Sequence, residues 1–252
     1  MLPLQTFVKQ FKDIEFANDI LKEKYGVVVK KEPFFLSSGA AADGKFYLYK
    51  HCENLTNGFK YVILDDKGDI ACVSIKKLPL LNKENAKAID WTTAYAEDCI
   101  EGVPIMVYDY KNKPFVATSA SPKGKNMVED KHITYYAAIC QYMARKHKTL
   151  GFNNALYAFK PYFYYYLVYD CYTSKIDGFH ESLVLISAID TTTLEPVSDT
   201  KAANLAHSLN LSTPDYTMVI SYTDSLNYFN TISHYVDKVF VTDGDKKFKL
   251  EA

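Results

Sequence analysis

A cysteine and several acidic residues lie next to a glycine in the segment AYAEDCIEGVPIMVYDY, residues 94 to 110. A thiolate can act as a nucleophile, and a carboxylate can hold a metal ion. The pattern reads as a strand, a turn at Gly102 and a second strand. In that setting we expect Cys99 to be a small buried apolar residue on a strand rather than a reactive thiol. We expect Glu101 to be a solvated acid at the strand end rather than a metal ligand.

The remaining cysteines and the histidines offer no recognisable metal or disulfide pattern. The chain has five cysteines, an odd number, with wide spacing and no CxxC pair, so a disulfide framework and a zinc site are both unexpected. A reducing cytoplasm is the simplest compartment for such a set. The histidines at positions 132, 147, 180 and 234 form no HxxxH pair and read as surface or capping residues.

Positive charge is present in clusters, although the net charge of the chain is only -1. Arg145 is the only arginine, so lysine supplies almost all of the cations. Lysines on flexible stems neutralise phosphates without reading bases, and interleaved tyrosines can stack on single-stranded bases. The RNA-binding candidates are Lys123, Lys125, Lys131, Arg145, Lys146, Lys148, Lys246 and Lys247. The alternative is that Arg145 to Lys148 complement a helix dipole and that Lys246 and Lys247 only solubilise an edge hairpin.

Composition indicates a soluble globular chain. Apolar residues make up 48% of the 252 residues, and no apolar run is long enough for a membrane helix. We see no repeat or low-complexity linker. We therefore predict a single domain, 1-252, in which an N-terminal helix and short strands (1-59) precede a larger core (60-250).

The periodicity of apolar residues predicts an α+β fold with mostly antiparallel strands and packed helices. Helices are predicted over Leu4–Tyr25, Glu129–Lys148, Ser198–Leu209 and Ser225–Tyr235. Hairpins are predicted over Lys60–Ile75, Ile105–Ser121 and Lys238–Leu250. Single strands are predicted over Val27–Lys30, Phe46–Lys50, Tyr162–Asp170, Ser182–Asp190 and Thr217–Ser221.

The order of four segments resembles the nucleotidyltransferase domain of RNA ligases like that of phage T4. These segments are YVILDDKGDIACVSI, AYAEDCIEGVPIMVYDYKNKPFVATSAS, YFYYYLVYD followed by LVLISAIDTTTLEPVSD, and KVFVTDGDKKFKL. The similarity runs from about Lys60 to Leu250. The resemblance implies a ligase-type nucleotidyltransferase fold, in which a Lys-x-Asp-Gly motif carries the lysine that attacks the α-phosphate of ATP.

Several motif positions of that family hold other residues in this chain. Cys99 takes the place of the nucleophilic lysine, Glu101 replaces the aspartate and Gly102 is kept. Tyr166 takes the place of a metal-supporting glutamate, and Lys249 is the lysine that remains of a closing Lys-x-Lys pair. The resemblance thus implies a degenerate nucleotide pocket of Cys99, Glu101, Gly102, Tyr166 and Lys249. The other family positions fall on Lys60, Tyr61, Ile75, Pro79, Thr118, Ser119, Ala120, Ser121, Val236, Asp237 and Glu251.

These replacements favour a binding protein over an enzyme. We expect a non-catalytic RNA-binding protein that holds single-stranded or structured RNA, such as mRNA, mainly through phosphates. We expect no cofactor and no metal. One alternative is an active nucleotidyltransferase whose nucleophile is displaced to Lys76, Lys77 or Lys87. Another is a protein–protein scaffold that uses exposed aromatic side chains.

The lysine-, asparagine- and tyrosine-rich composition, taken with the resemblance, is consistent with a phage gene product. Nucleus-forming phages carry an RNA-binding protein associated with their protein shell, and this chain is a candidate for that role. The partners expected on this basis are RNA and the phage shell or other phage proteins, with no membrane. The expected location is the cytoplasm of an infected bacterial host or a phage-built compartment within it.

Overall fold

The computed structural model describes residues 1–36, 42–128, 132–174, 178–233, 238–244 and 246–251. Within these residues the helices are α1 Pro3–Lys9, α2 Ile14–Tyr25, α3 Tyr135–Lys146, α4 Asp199–Ser208 and α5 Tyr222–Ile232. Short 3₁₀ segments lie at Glu53–Leu55, Asn85–Ala88 and Phe152–Ala158. The strands are β1 Val28–Phe34, β2 Gly44–Lys50, β3 Tyr61–Asp65, β4 Ile70–Val73, β5 Tyr95–Asp98, β6 Val103–Tyr110, β7 Lys113–Thr118, β8 Phe163–Ser174, β9 Gly178–Asp190, β10 Tyr216–Met218, β11 Lys238–Asp243 and β12 Lys246–Glu251.

Three four-stranded sheets organise these strands, in the orders β1-β2-β3-β4, β10-β5-β11-β12 and β7-β6-β8-β9. Every strand pair whose register is described is antiparallel. The predicted α+β class with antiparallel sheets is confirmed. In the described helices, no segment is both long and apolar enough to cross a membrane.

The chain divides into two compact units made of non-consecutive segments. Unit 1 contains Met1–Lys77, Val103–Tyr169 and Ser187–Val197, and unit 2 contains Leu78–Gly102, Asp170–Ile186 and Ser198–Ala252. The prediction of one domain with a core from 60 to 250 stays a prediction.

The predicted N-terminal helix, Leu4–Tyr25, is in fact two helices. The side chain of Asp13 accepts a hydrogen bond from the Glu15 N–H and caps a new helix, α2, which ends at Gly26 in the left-handed conformation. The helical spacing of apolar residues continues from α1 into α2, although the chain between the two helices is not helical. One continuous apolar pattern therefore covers two helices.

The second predicted helix, Glu129–Lys148, covers a shorter segment in the described residues. Among its described residues, helix α3 begins at Tyr135, after Thr134, whose hydroxyl accepts the Ala137 N–H. The predicted residues Glu129 to Lys131 lie outside the described residues. The α4 cap at Ser198 is confirmed by its hydrogen bond from Lys201 N–H.

An aromatic cluster forms the part of unit 1 that supports the lysine-rich segment described below. The rings of Phe34 and Phe46 stack with centroids 4.4 Å apart, and those of Tyr108 and Phe115 stack at 5.6 Å. The Phe115 ring also meets the Phe46 ring edge-on at 5.1 Å. Paired rings at these separations contribute specific packing energy beyond their buried area.

Gly44 is packed so tightly against this cluster that a methyl group would collide with it. A Cβ at Gly44 would lie 2.8 Å from two Phe34 ring carbons and 3.0 Å from an Asp66 carboxylate oxygen. We expect Gly44→Ala to lower the free energy of unfolding by about 1–3 kcal/mol through overpacking. Gly151→Ala is the matched control, because a Cβ there meets no atom within 4 Å, and its effect should stay within about 0.5 kcal/mol. Equal urea midpoints for both variants would contradict this packing.

Candidate functional site

The predicted turn at Gly102 joins two different sheets. Strand β5 ends at Asp98 and strand β6 begins at Val103, and these strands belong to different sheets. Gly102 has φ +129°, in the region that favours glycine. Cys99 lies one residue past β5 and is only half-buried, with its thiol 3.9 Å from the Ile100 carbonyl oxygen. The expectation of a buried strand residue is therefore wrong for Cys99, while Glu101 is exposed, as expected.

A charged pair lies on one face of the β5–β11–β12 part of the sheet. Ala96 and Val241 face the apolar core of unit 2, so alternation places Glu97 and its cross-strand neighbours on the opposite face. Glu97 accepts a hydrogen bond from the Lys247 ammonium at 2.5 Å and another from the Thr242 hydroxyl at 3.2 Å. The Glu97 side chain is 9% exposed and the Lys247 side chain 23%. Lys247, predicted to contact RNA, is thus neutralised by an acid.

Lys249 lies on the same strand as Lys247, two residues further on. It pairs in register with Phe240 on β11, and its backbone binds the neighbouring segment through Pro79 and Leu81. Cys99, Glu101, Gly102 and Lys249 all belong to unit 2, whereas Tyr166 belongs to unit 1.

Tyr166 lies on β8 opposite Met106 of β6 and is 8% exposed. It is near Tyr61, whose pKa is raised well above the usual value by burial and further by Cys72 and Tyr166. The Tyr61 hydroxyl is buried and has no hydrogen-bond partner among the described residues. The two family positions Tyr61 and Tyr166 are therefore filled by buried tyrosines of unit 1.

A pocket of about 290 Å³ in unit 1 brings together lysines and aromatic rings from separate elements. We call it the lysine pocket. Its lining residues are Phe35, Lys113, Pro114, Phe115, Lys123, Lys125, Thr134 and Tyr136. Two of the predicted RNA-binding lysines, Lys123 and Lys125, are thus brought together, and Lys113 joins them although the sequence did not single it out.

Local turn chemistry explains how these lysines converge. The β6–β7 hairpin turns at Lys111 and Asn112, which both have positive φ, and this places Lys113 at the start of β7. After β7, the Ser121 hydroxyl accepts the backbone N–H groups of Lys123, at 3.2 Å, and Lys125, at 2.9 Å. These hydrogen bonds fold the SPKGK segment back beside the hairpin.

Two amines of the lysine pocket, those of Lys113 and Lys123, are held by backbone carbonyls rather than by acids. Lys113 Nζ donates to Phe35 O at 2.5 Å, and Lys123 Nζ donates to Pro33 O at 2.8 Å. Lys123 Nζ also lies 5.2 Å from the Phe35 ring centroid. Burial lowers the pKa of Lys123, and the positive charge of Lys125 lowers it further. Within the described part of the chain, no ion pair neutralises Lys113, Lys123 or Lys125.

The other predicted cation clusters have different surroundings. Arg145 and Lys146 lie in the last turn of α3, 5.9 Å and 5.5 Å from the Tyr142 ring centroid. Lys148 is exposed beyond the helix, and Lys131 lies outside the described residues. Lys246 donates to Ala88 O at 2.7 Å and lies 3.9 Å from an Asp243 carboxylate oxygen.

The lysines considered as displaced nucleophiles do not share a site. Lys76 is paired with Glu195 at 2.9 Å and lies 5.5 Å from the Phe59 ring centroid. Lys77 is exposed in unit 1 and Lys87 in unit 2. Among the described residues, no three His, Cys, Asp or Glu side chains come together as a metal site.

Comparison with solved structures identifies the fold. Two forms of an archaeal ATP-dependent RNA ligase match the whole chain, with a TM-score of 0.57 in both cases, at 12% and 10% identity, and with 64% and 65% of the ligase chain covered. An ATP-dependent DNA ligase from Aquifex aeolicus matches 94% of this chain and 62% of its own, at 8% identity and a TM-score of 0.55. The chain spans less than two thirds of the length of each of these relatives.

The predicted RNA-ligase or nucleotidyltransferase fold is confirmed by these matches. At identities this low the likeness concerns the fold alone, and activity is not carried over. No protein-family model matches the sequence, and no curated protein matches it.

Proposed function

We propose that this chain is a non-catalytic RNA-binding protein built on a ligase fold, and that it holds RNA chiefly through phosphates. The observation that carries the proposal is the lysine pocket, where three lysines that form no ion pair among the described residues lie beside aromatic rings. Ammonium groups in that state attract a polyanion, since a phosphate relieves their mutual repulsion.

The form of the pocket favours contact with the backbone over base readout. Lysine is a point charge on a flexible stem and lacks the fixed fork of arginine that reads guanine edges. Aromatic rings stack on any base because every base has a π face. We therefore expect a modest sequence preference and a strong dependence on salt.

The residues at the family's catalytic positions support binding without catalysis. Adenylyl transfer needs a nucleophile, a carboxylate-held metal and cations on the triphosphate at the same time. By the motif alignment these positions hold Cys99 and the buried Tyr166, among other replacements. Loss of one cation slows such a reaction, whereas loss of the nucleophile removes the covalent step.

A salt-titrated gel shift with single-stranded and hairpin RNA tests the proposed function. We expect complexes at about 50 mM salt that weaken steeply by about 200 mM, with a linear log–log dependence. Absence of any complex at the lower salt would end the proposal. The scaffold alternative makes the opposite prediction. The pure protein would then bind no RNA, and a protein partner captured from lysate would stay bound after nuclease treatment.

We predict that the protein forms no covalent nucleotide adduct with α-labelled ATP in magnesium or manganese. Cys99→Lys should also remain unlabelled, since one amine cannot replace the missing metal carboxylate at Tyr166. The readout is label that stays on the protein through a denaturing gel and alkali and is lost in acid, because an amine-linked adenylate is a phosphoramidate. An adduct in the unmodified protein that is lost in Lys76→Arg or Lys87→Arg would establish a displaced nucleophile.

A phage origin and a partner in a phage shell remain predictions from composition and resemblance. They would be supported if the protein purified from infected cells together with shell proteins in an RNA-dependent manner. The same experiment without infection serves as its control.

A further inference from the structure

We propose that the lysine pocket is a site for one phosphorylated nucleotide, with its phosphate at Lys113, Lys123 and Lys125 and its base against the aromatic rings. This inference rests on the proposed function, because it takes the bound nucleotide to be part of an RNA. None of the predicted nucleotide-pocket residues, Cys99 and Tyr166 included, lines this pocket. The proposal therefore assigns a site that the ligase resemblance does not.

The charge balance of the pocket calls for an anion. Lys113, Lys123 and Lys125 line the same pocket, and the positive charges of Lys125 and Lys113 both lower the pKa of Lys123, which burial already lowers. Glu32 is the acid that counteracts them. One of its oxygens accepts the Ser121 hydroxyl at 2.6 Å, and the other has no partner among the described residues. Three amines and one acid leave a net charge of about two, which matches a phosphate monoester dianion.

The amines are preorganised before any ligand arrives. Lys113 and Lys123 are tied to two carbonyl oxygens of the same short segment, Phe35 O and Pro33 O. Each ammonium has three donors, so a carbonyl contact leaves two for a phosphate oxygen. A phosphate can therefore bind without ordering two free lysine side chains, which lowers the entropic cost of binding.

The start of helix α3 contributes its dipole but not its amides. Tyr135 N–H and Tyr136 N–H donate to the carbonyls of Asn126, at 3.1 Å, and Gly124, at 3.0 Å. Ala137 N–H donates to the Thr134 hydroxyl. These first amides are already satisfied, so the charged hydrogen bonds to a phosphate come from the lysines.

The apolar walls and the size of the pocket favour a nucleotide over inorganic phosphate. Phe115 is held in the aromatic cluster by Phe46 and Tyr108, so it forms a rigid wall, and Phe35 and Tyr136 are both partly exposed at the pocket. A volume of about 290 Å³ lies at the lower end of small-ligand sites. It suits one nucleotide and excludes a duplex.

Calorimetric titration of the full chain with AMP, adenosine, inorganic phosphate and a single-stranded RNA octamer tests the proposal. We expect AMP to bind more tightly than either adenosine or phosphate, and to displace the octamer. Lys123→Gln should weaken AMP binding by about tenfold, as loss of a charge-assisted hydrogen bond does, and Tyr136→Leu should weaken it by a similar factor through lost stacking. Lys12→Gln, an exposed lysine of the same unit, should change it less than twofold. Thermal melts establish that each variant is folded.

The outcomes separate this inference from the proposed function. If the octamer binds while AMP does not, or if Lys123→Gln behaves like Lys12→Gln, the nucleotide site is refuted and RNA binding stands. If AMP binds and the octamer does not, the site stands for a free nucleotide and the proposed function fails. Equal affinity for AMP and inorganic phosphate would reduce the pocket to an anion site and overturn the nucleotide assignment.

Discussion

Replacing Lys113, Lys123 and Lys125 together by glutamine is expected to weaken RNA binding by roughly 50-fold near 0.15 M salt. Each lysine that neutralises a single-strand phosphate contributes about 0.7 to the slope of log affinity against log salt, so three lysines contribute about 2. If the contribution of these lysines vanishes at about 1 M salt, a slope of about 2 gives a roughly 50-fold contribution to affinity at about 0.15 M salt. The measurement is a set of gel shifts or anisotropy titrations at several salt concentrations, from which both affinity and slope are obtained.

A matched control separates this local effect from a change in net charge. Lys12, Lys24 and Lys77 are exposed lysines of the same unit that do not line the pocket. Their triple replacement by glutamine removes the same charge and should weaken binding less than about threefold. Equal losses in both triple variants would mean that the whole surface attracts RNA without a defined site. No loss in the pocket variant would place the RNA elsewhere, for which Arg145 and Lys146 are the next candidates.

Local chemistry explains which parts of the fold could be predicted from the sequence. The hairpins at Asp65 to Gly68 and at Lys111 to Lys113 were predicted correctly because glycine, asparagine and aspartate specify tight turns within a few residues. The apolar spacing continues through the break between α1 and α2 and so predicts one helix, whereas the Asp13 cap begins a second helix. Here the apolar spacing favours one long helix and the capping side chain favours a new start, and the capping side chain decides the structure.

The candidate site was predictable only in the part that is continuous in sequence. Lys123 and Lys125 stand out in the SPKGK segment, but Lys113 joins them only because the β6–β7 hairpin and the Ser121 turn fold two segments together. The pairing of Glu97 with Lys247 joins residues 150 positions apart. No pattern within one strand reveals such a pair, because β5 and β12 are brought into the same sheet by β11.

The second large effect concerns this Glu97–Lys247 pair. We expect Lys247→Met to lower the free energy of unfolding by about 3 kcal/mol at neutral pH. The substitution leaves the Glu97 carboxylate, whose side chain is 9% exposed, with the Thr242 hydroxyl as its remaining described donor. Removing one partner of a buried ion pair is costly because the other charge stays desolvated. Urea unfolding with a constant m-value measures the loss.

Neutralising Glu97 as well identifies the cause of this loss. If the loss comes from the carboxylate left without its ammonium partner, it should largely disappear when the carboxylate is removed too. If it comes from lost packing against Phe240, whose ring centroid lies 5.4 Å from the Lys247 amine, it should persist when Glu97 is neutralised.

Two further variants test whether Lys247 is held by Glu97. Glu97→Gln combined with Lys247→Met should recover most of the lost stability, because no charge is then left buried. Lys246→Met, on an exposed neighbour, should cost less than about 1 kcal/mol. If the single variant Lys247→Met is destabilised and the double variant is not, Lys247 is bound to an internal acid in the native state. A phosphate would then have to displace Glu97 to reach it, so this sheet face favours stability over anion binding. The proposed RNA contacts would fall to the lysine pocket, whose lysines form no ion pair within the described residues.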